Sequence, residues 1–464
     1  MSNRKRIIGL LIGISIFLLT FFLSPPAGMS AAGKNAFGIL LGGIVLWITD
    51  VFPIAVTALL LMILLPLYGV TPKLADVFKD FVSPTIFFLI ATFALTTIIM
   101  KTPLANRLTA TLFRFARGDS KKIVLGFMMA TAVLSSVLSN VPTTALVAAI
   151  AISALQKSVP DMYKSNLVKA TMIGVPFAAA VGGLMTPAGT PNNIMAIYLL
   201  EEAIHIKITF LQWMIVGVPL SLLTVLFCWL WIIRVFKPET VNPQTMAAFN
   251  ETFASTGPFS MEEKKAVIII TAMFILWIAS TWYPVFDTTL VAICGLIVMF
   301  LPGMDLLTWQ EFNRDAGWDL ILMIGGIQAV TAGILKSGGA TWVVNNALAG
   351  AQQWHPFVVL LMASAIMALL HLLVPAGPAI VGMAVPPMAA LALSIGVNPV
   401  VMAIIVVVWA SITFLLPIDM VLLITYSKGY HTSTDLFKAG WLPTLFLIIL
   451  TAVAVPFLVS LAGL

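Results

Sequence analysis

The sequence predicts an all-α integral membrane protein, and three observations support this fold class. Of the 464 residues, 61% are hydrophobic and 9% are charged, whereas a soluble domain has about 25% charged residues. The mean hydropathy is +1.08. Apolar runs of helix-forming length recur along the whole chain and are separated by short polar segments. The net charge of +6 is too small and too scattered to indicate nucleic-acid binding.

A short basic segment at residues 4–6 precedes the first apolar run, residues 7–23. This run has two interpretations, a secretory signal cleaved near residues 31–32 or a retained transmembrane helix. Its length, and the apolar segment that follows at once, favour a retained leading helix within residues 1–35. Further spans are predicted at residues 36–49, 54–67, 85–100, 210–235, 267–280, 285–301, 320–335 and 442–461.

A basic amphipathic segment follows the span at residues 85–100. It carries Lys101, Arg107, Arg114 and Arg117, and it is predicted to lie on the membrane surface. Lys101 and Lys336 each end a span, so both ammonium groups are predicted to extend to the membrane interface.

A polar break at residues 139–144 divides two short apolar runs in the first half. Each run is shorter than the roughly 20 residues that cross a bilayer, which predicts a re-entrant hairpin at residues 121–158. Pro142 lacks an N–H, and the helix after it directs its N-terminal amides and positive dipole end at the break. A polar turn at membrane depth must be surrounded by protein or water. We therefore expect an anion site here; a kinked helix with satisfied hydroxyl groups is the alternative.

A second interruption lies within the next long apolar stretch. Residues 186–193 contain two prolines and a glycine, which a continuous helix does not tolerate. The sequence thus predicts a broken helix, residues 166–202, whose unwound middle exposes amides and carbonyls near the bilayer centre. A polar linker at residues 236–265 then separates the two halves of the chain.

The second half repeats these features in the same order. Apolar arms at residues 355–396 surround a break at residues 375–378, and a further stretch at residues 399–428 is interrupted at residues 417–419. Matching features lie about 230 to 237 residues apart, as in 376 minus 139 and 417 minus 187. This spacing indicates two structural repeats.

Repeat 1 is predicted at residues 36–235 and repeat 2 at residues 266–464. Each repeat contributes five crossings if the hairpins do not cross, and an odd number inverts the second repeat. With the leading helix this gives about 11 transmembrane helices plus two re-entrant hairpins. If the N-terminus is cytoplasmic, 19 of the 24 Lys and Arg residues lie on the inner side. We therefore expect a multi-pass protein of the cell membrane with an extracytoplasmic C-terminus.

Two short motifs resemble signatures of the divalent anion:sodium symporter family. Ser139-Asn140 at the hairpin tip is similar to the family's Ser-Asn-Thr, and Gly189-Thr190-Pro191-Asn192-Asn193 is similar to its Thr-Pro-Pro-Asn. The order of elements resembles that family along nearly the whole chain. The resemblance implies a homodimeric elevator transporter whose hairpins, broken helices and last span of each repeat move together. It also implies a dicarboxylate, tricarboxylate or sulfate held between the hairpin tips, with sodium sites beside them.

Site residues are expected on this basis and from the donors near each tip. The substrate is expected to contact Ser139, Asn140, Thr143, Thr190, Asn193, Ala376, Gly377, Pro378 and Pro417. A sodium ion is expected at Ser139, Asn140, Gly189 and Asn193. No other cofactor is expected.

Departures from the family motifs bear on coupling. Val141 replaces the family's Thr, and Asn192 replaces its second Pro. In repeat 2, Ala376-Gly377-Pro378 stands where Ser-Asn-Thr would stand, and residues 419–423 stand where Gly-Thr-Pro-Pro-Asn would stand. Side-chain oxygens, which hard cations prefer, are thereby lost from repeat 2. We do not expect a complete second sodium site.

With one cation site missing, a divalent anion needs another positive group, because an uncompensated charge at the membrane midplane costs at least several kcal/mol. His371 is the candidate for charge compensation, and Asp419 is the candidate for binding a cation, relaying a proton or pairing with His371. A neutral His371 bonded to a neighbouring helix and an Asp419 that caps a helix are the alternatives. A fixed positive charge favours obligatory exchange of one anion for another.

The predicted function is secondary active transport of small divalent organic anions, such as malate, succinate and 2-oxoglutarate, by an elevator mechanism that favours exchange. A sodium-coupled di- or tricarboxylate or sulfate symporter is one alternative. A cation:proton antiporter that uses Asp419 is another. An enzyme is not expected, because an intramembrane aspartyl protease needs two facing carboxylates and only Asp419 is predicted at that depth.

Overall fold

The structure is a computed structural model that describes residues 3–114, 119–156, 159–240, 257–346 and 348–464. Within these ranges every regular element is helical, with 21 α-helices and one short 3-10 helix. Among the described helices, eight are long and apolar enough to cross a membrane. These observations confirm the predicted all-α membrane fold. Arg117, the end of the first hairpin and the middle of the linker lie outside the described residues, as does the side chain of Arg114.

The described helices of the first half follow the predicted order, beginning with a leading helix, α1, at Asn3–Phe22. Ten helices come after it: α2 Ala31–Ile48, α3 Ile54–Leu67, α4 Leu74–Phe81, α5 Pro84–Lys101, α6 Leu104–Arg114, α7 Ser120–Ser135, α8 Asn140–Gln156, α9 Asn166–Gly182, α10 Pro191–Ile204 and α11 Phe210–Phe236. The first hairpin is therefore α7 and α8, and the first broken helix is α9 and α10.

The described part of the second half contains ten α-helices in a matching order. They are α12 Met261–Ala279, α13 Thr288–Met299, α14 Trp309–Asp315, α15 Trp318–Lys336, α16 Gly339–Asn346, α17 Pro356–Leu373, α18 Gly377–Ser394, α19 Pro399–Ser411, α20 Met420–Tyr426 and α21 Ser433–Leu461. The second hairpin is α17 and α18, and the second broken helix is α19 and α20. Each helix from α2 to α11 thus has a counterpart ten helices later.

The packing of the helices has the same internal symmetry. Helix α3 packs against α15, and the counterpart pair α13 and α5 is also in contact. Helix α10 packs against α18, while α20 packs against α8. Helix α11 packs against its own counterpart, α21. Exchanging the two halves therefore maps these contacts onto one another, as expected for two repeats related by an approximate two-fold axis.

Capping residues make some helices begin earlier in the sequence than the apolar runs that predict them. Helix α2 begins at Ala31 rather than at residue 36, because Ser30 Oγ accepts a hydrogen bond from Gly33 N at 3.0 Å. Helix α21 begins at Ser433 rather than at residue 442, because Thr432 and Asp435 form a capping box. Apolar runs mark the part of a helix that lies in hydrocarbon, whereas polar caps determine where the helix starts.

The basic segment after α5 makes protein contacts that the sequence did not predict. Arg107, in α6, donates to both carboxylate oxygens of Glu263 at 2.5 and 3.1 Å. It also donates to the carbonyl oxygens of Gly257 and Pro258 at 2.9 and 3.1 Å. Arg107 therefore ties the first repeat to the start of α12.

Candidate functional site

Both hairpin tips and both helix breaks line one cavity of about 220 Å³. A water molecule occupies about 30 Å³ in the liquid, so the cavity can hold a small organic anion. Tip 1 (residues 139–141) and tip 2 (residues 375–378) both form part of its wall, together with the starts of α10 and α20. Trp47, Ile54 and Met323, from α2, α3 and α15, complete the wall. Ser139 and Gly377 thus meet at one site, as the hairpin hypothesis requires.

Tip 1 presents hydrogen-bond donors because α8 begins there, at Asn140. Thr143 N donates to Ser139 O at 3.2 Å. The amides of Asn140 and Val141 belong to the first turn and have no acceptor within their own helix. Asn140 Oδ1 accepts a hydrogen bond from Ser135 Oγ at 2.8 Å, which leaves Nδ2 as the donor of this side chain. Tip 1 is therefore suited to an anion.

The start of α10 adds two polar side chains to the wall. Thr190 is the N-cap residue, in extended conformation, and its hydroxyl makes no capping hydrogen bond. Pro191 occupies the first helical position, where no amide donor is required. Asn192 Nδ2 donates to Ala410 O at 3.2 Å and to Ser411 Oγ at 3.0 Å, both in α19. Thr190 was a predicted site residue, whereas Asn192 was noted only as a departure from the family motif.

Tip 2 contributes backbone rather than polar side chains. Ala376, Gly377 and Pro378 all line the cavity. Ala376 N donates to Val374 O at 2.8 Å, and Pro378 has no N–H, so the Gly377 amide is the donor that this tip presents. A Cβ at position 377 would collide with Ala410 O. Glycine therefore allows the close approach of α18 to the end of α19.

The two ionisable residues predicted here, His371 and Asp419, both line the cavity. His371 lies in the last turn of α17, is 1% exposed, and has its Nδ1 3.2 Å from Ile412 O. Asp419 is the N-cap of α20, and its Oδ1 accepts a hydrogen bond from Val421 N at 3.1 Å. The ion pairs found among the described residues do not include one between these two side chains.

Four predicted site residues do not form part of the cavity wall. Asn193 is fully buried, and its Nδ2 donates to Gly183 O at 2.8 Å and to Thr186 O at 2.7 Å. A Cβ at Gly189 would lie 2.5 Å from Gly183 O, so this glycine packs against the same turn. Thr143 is fully buried one turn inside α8, and Pro417 is half-buried in the break between α19 and α20.

The residues of repeat 1 fit a sodium ion, which the family resemblance implies. Asn193 Oδ1 and Thr143 Oγ1 are buried and have no hydrogen-bond partner within the described residues. An unpaired buried acceptor costs about 1–3 kcal/mol, and a hard cation would satisfy it through oxygen coordination. The corresponding tip in repeat 2, Ala376-Gly377-Pro378, has no side-chain oxygen. When bound, sodium would neutralise part of an anion's charge.

Three polar residues of the site are not among the residues predicted from the sequence. Ser135 Oγ lies 2.8 Å from both Asn140 Oδ1 and Ala179 O, and it thereby fixes the tip 1 amide. Ser411 and Asn192 join the end of α19 to the start of α10. Ser135 and Ser411 each end the helix before a break, which is the sequence signal that could have indicated them.

Residues 4–461 match the family model for the sodium:sulfate symporter transmembrane region. The chain belongs to this family. Membership in the sodium:sulfate symporter family confirms the resemblance to divalent anion:sodium symporters, and it establishes a membrane transporter rather than an enzyme.

Curated relatives within the sodium:sulfate symporter family match almost the whole chain. The sodium-dependent dicarboxylate transporter SdcS of Staphylococcus saprophyticus is 25% identical over 483 aligned residues, covering 98% of this chain and 92% of the relative. SdcS of Staphylococcus aureus is 26% identical over 438 residues, covering 89% and 83% of the two chains.

Solved structures of other transporters share the fold. MtrF of Neisseria gonorrhoeae, described as one of a class of antimetabolite efflux pumps, superposes with a TM-score of 0.61 at 11% identity and covers 98% of this chain and 95% of its own. The YdaH transporter of Alcanivorax borkumensis has a TM-score of 0.54 at 13% identity and covers 98% of each chain. At these identities the likeness shows the fold alone.

Proposed function

We propose that this protein is a secondary transporter of small divalent organic anions, C4 and C5 dicarboxylates such as malate, succinate and 2-oxoglutarate. One observation carries the proposal: tip 1 and tip 2, one from each repeat, line the same 220 Å³ cavity and direct helix N-termini at it. The name of the relatives, sodium-dependent dicarboxylate transporters, supports the same substrate class.

Each end of the substrate has its own donors in this proposal. One carboxylate binds at tip 1, where the first-turn amides of α8, the Asn140 side chain and the hydroxyls of Ser139 and Thr190 converge. The other carboxylate binds at tip 2, at the Gly377 amide. Hydrogen bonds to an ionised carboxylate are shorter and stronger than neutral ones, so a few such donors suffice.

Transport would follow an elevator mechanism within a homodimer. Both hairpin arms of each repeat pack against the first half of the broken helix in that repeat, α7 and α8 against α9 and α17 and α18 against α19. These contacts support one mobile unit that includes α11 and α21. The N-terminus would be cytoplasmic and the C-terminus extracytoplasmic, in the cell membrane.

The residues at and beside tip 2 favour exchange of one anion for another over coupling to a cation. Tip 2 has no side-chain oxygen for a cation, and buried His371 lines the cavity beside it. A protonated His371 would compensate one substrate charge and would make the substrate-free carrier reluctant to cross. Asp419, which also lines the cavity, is the residue that pairs with His371 in this proposal.

Sodium-coupled symport is the second candidate, and the unpaired oxygens of Asn193 and Thr143 favour it. A cation at these oxygens would replace the positive charge that exchange requires of His371. The relatives named as sodium-dependent support this candidate. The two candidates share the substrate site and differ only in how its charge is balanced.

Uptake of labelled succinate into proteoliposomes tests the function and separates the two candidates. Four conditions are compared, with and without external sodium and with and without an internal dicarboxylate. Uptake that requires internal dicarboxylate supports exchange, and uptake that requires sodium alone supports symport. No uptake of succinate, malate or 2-oxoglutarate under any condition would contradict the proposed substrate class.

A further inference from the structure

Asn192 has an amide oxygen without a partner at the wall of the cavity. Its Nδ2 donates to Ala410 O and Ser411 Oγ, at 3.2 and 3.0 Å. Because a backbone carbonyl can only accept, these bonds fix which end of the amide is the nitrogen. Asn192 is 6% exposed, and its Oδ1 has no hydrogen-bond partner within the described residues. The site therefore contains a buried acceptor that lacks a donor.

Asn192 lies beside Gly377 of tip 2. A Cβ built on Gly377 would be 2.6 Å from Asn192 Nδ2 and 3.2 Å from its Oδ1, and both residues line the cavity. Gly377, whose amide is the donor of tip 2, and Asn192, whose Oδ1 is unpaired, are thus neighbours at the cavity wall. A ligand that matches both needs an acceptor and a donor on neighbouring atoms.

Dicarboxylates differ in whether they carry such a donor. At neutral pH a carboxylate has lost its proton, since carboxyl groups have reference pKa values of about 4. A hydroxyl group next to a carboxylate supplies the missing donor without changing the charge of the anion. A hydroxyl donating to Asn192 Oδ1 also removes the penalty of an unpaired buried acceptor.

We propose that Asn192 is a specificity-determining residue that accepts a hydrogen bond from the hydroxyl of a 2-hydroxydicarboxylate, while the adjacent carboxylate binds the Gly377 amide. This inference rests on the proposed function and adds a substrate preference to it. Asn192 stands where the family motif has proline, which has no side-chain acceptor.

Binding of malate and succinate to the purified full-length protein tests the inference, because the two anions differ by one hydroxyl group. We expect the wild type to bind malate about tenfold more tightly than succinate, as one additional hydrogen bond allows. In Asn192→Ala the ratio falls to about one. The matched control is Asn35→Ala, since Asn35 is also buried, donates from Nδ2 to Tyr68 O at 2.7 Å and has an unpaired Oδ1. This control keeps the tenfold ratio.

The outcomes separate this inference from the proposed function. Equal affinity of the wild type for malate and succinate overturns the hydroxyl assignment even if Asn192→Ala does not fold, and it leaves dicarboxylate transport intact. A tenfold ratio that persists in Asn192→Ala also overturns it. An affinity for both anions that depends on sodium and is lost equally in Asn192→Ala assigns the oxygen to a cation instead. Failure of the wild type to bind or transport either anion contradicts the proposed function itself.

Discussion

Lys336 Nζ lies 2.7 and 2.8 Å from the two carboxylate oxygens of Asp80, and Lys101 Nζ lies 2.8 Å from Glu311 in the corresponding position of the other repeat. Each lysine ends a long helix of one repeat, and each carboxylate belongs to a short helix of the other. The internal symmetry thus extends to individual ion pairs. The lysines were predicted to extend to the interface, and the structure adds a specific partner for each.

Double-mutant cycles on these pairs should give small coupling energies. Lys336 is 63% exposed and Lys101 is 35% exposed, and pairs of this kind contribute about 0.2–1 kcal/mol because water screens them. The cycles compare Lys→Ala, the carboxylate→Ala variant and the double variant by thermal unfolding in detergent. Coupling should decrease at high salt. A coupling above about 2 kcal/mol that is insensitive to salt would show that these pairs are not screened.

Loss of the Arg107–Glu263 pair should lower the free energy of unfolding more than loss of either lysine pair. Glu263 is 1% exposed, and the bidentate bond from Arg107, the largest cause, lowers the pKa of Glu263 to about 2. Arg107→Ala removes both guanidinium hydrogen bonds from that carboxylate, so we expect a clear decrease in the free energy of unfolding. Arg314→Ala is the control, because Arg314 is 73% exposed and its ion pair is screened by water, so the free energy of unfolding should hardly change. Equal effects of the two substitutions would contradict the prediction.

Stability should fall when the pH drops below neutrality, and His431 should account for part of the loss. This side chain is 4% exposed in the connection between α20 and α21, and burial is the main reason that its pKa is lowered from 6.5 to about 4. Nearby Asp435 raises the pKa in part, and Lys169 lowers it.

The sign of the effect follows from proton binding. Between about pH 6.5 and pH 4 the unfolded chain binds a proton at His431 that the folded protein does not, so the folded state loses stability as the pH falls through this window. At pH 5 the contribution is about 2 kcal/mol. Thermal unfolding at pH 7 and pH 5 should show a loss that His431→Gln reduces.

Asn140→Ala should abolish most transport without preventing folding. The substitution removes the amide donor at tip 1 and leaves Ser135 Oγ its second acceptor, Ala179 O. We expect at least a tenfold decrease in dicarboxylate uptake into liposomes, with similar amounts of purified protein. Ser136→Ala is a close control, because Ser136 Oγ bonds only Val133 O within its own helix and the residue is not on the cavity wall. Full uptake by Asn140→Ala would remove this residue from the site.

Gly377→Ala should block transport because of its position between two elements. The added Cβ would collide with Ala410 O and lie 2.6 Å from Asn192 Nδ2, so tip 2 would have to move away from α19. Gly350→Ala is the control, since a Cβ at that position meets nothing within 4 Å. Dicarboxylate binding and uptake are measured for both. Normal uptake by Gly377→Ala would show that tip 2 need not approach α19 closely.

The order of the helices was largely predictable, because a local sequence pattern indicates most of them. Apolar runs interrupted at Pro142, Pro191 and Pro417 indicated the hairpin and both broken helices, and the structure breaks its helices near these residues. Short helices such as α4 and α14 were missed, because seven or eight residues contain too few periods to be recognised. The carboxylate partners of the two lysines lie on these helices and were missed with them.

Site residues could be predicted from the sequence only where they lie together in one short segment of the chain. Ser139, Asn140, Thr190 and Gly377 each lie beside a break, and all four line the cavity. The role of Asn192 depends on the end of α19, more than 200 residues away in the sequence. No local pattern encodes such a contact, so Asn192 was noted as a departure from a motif and not as part of the site.

Asn192 and Asn193 are consecutive in the chain, yet each fastens a different repeat. Asn193 Nδ2 holds the carbonyl of Gly183 after α9, and Asn192 Nδ2 holds the carbonyl of Ala410 in α19. These two side chains therefore connect the end of α9 and the end of α19 to the start of α10. A displacement of either helix end must therefore break one of these hydrogen bonds or carry the start of α10 with it.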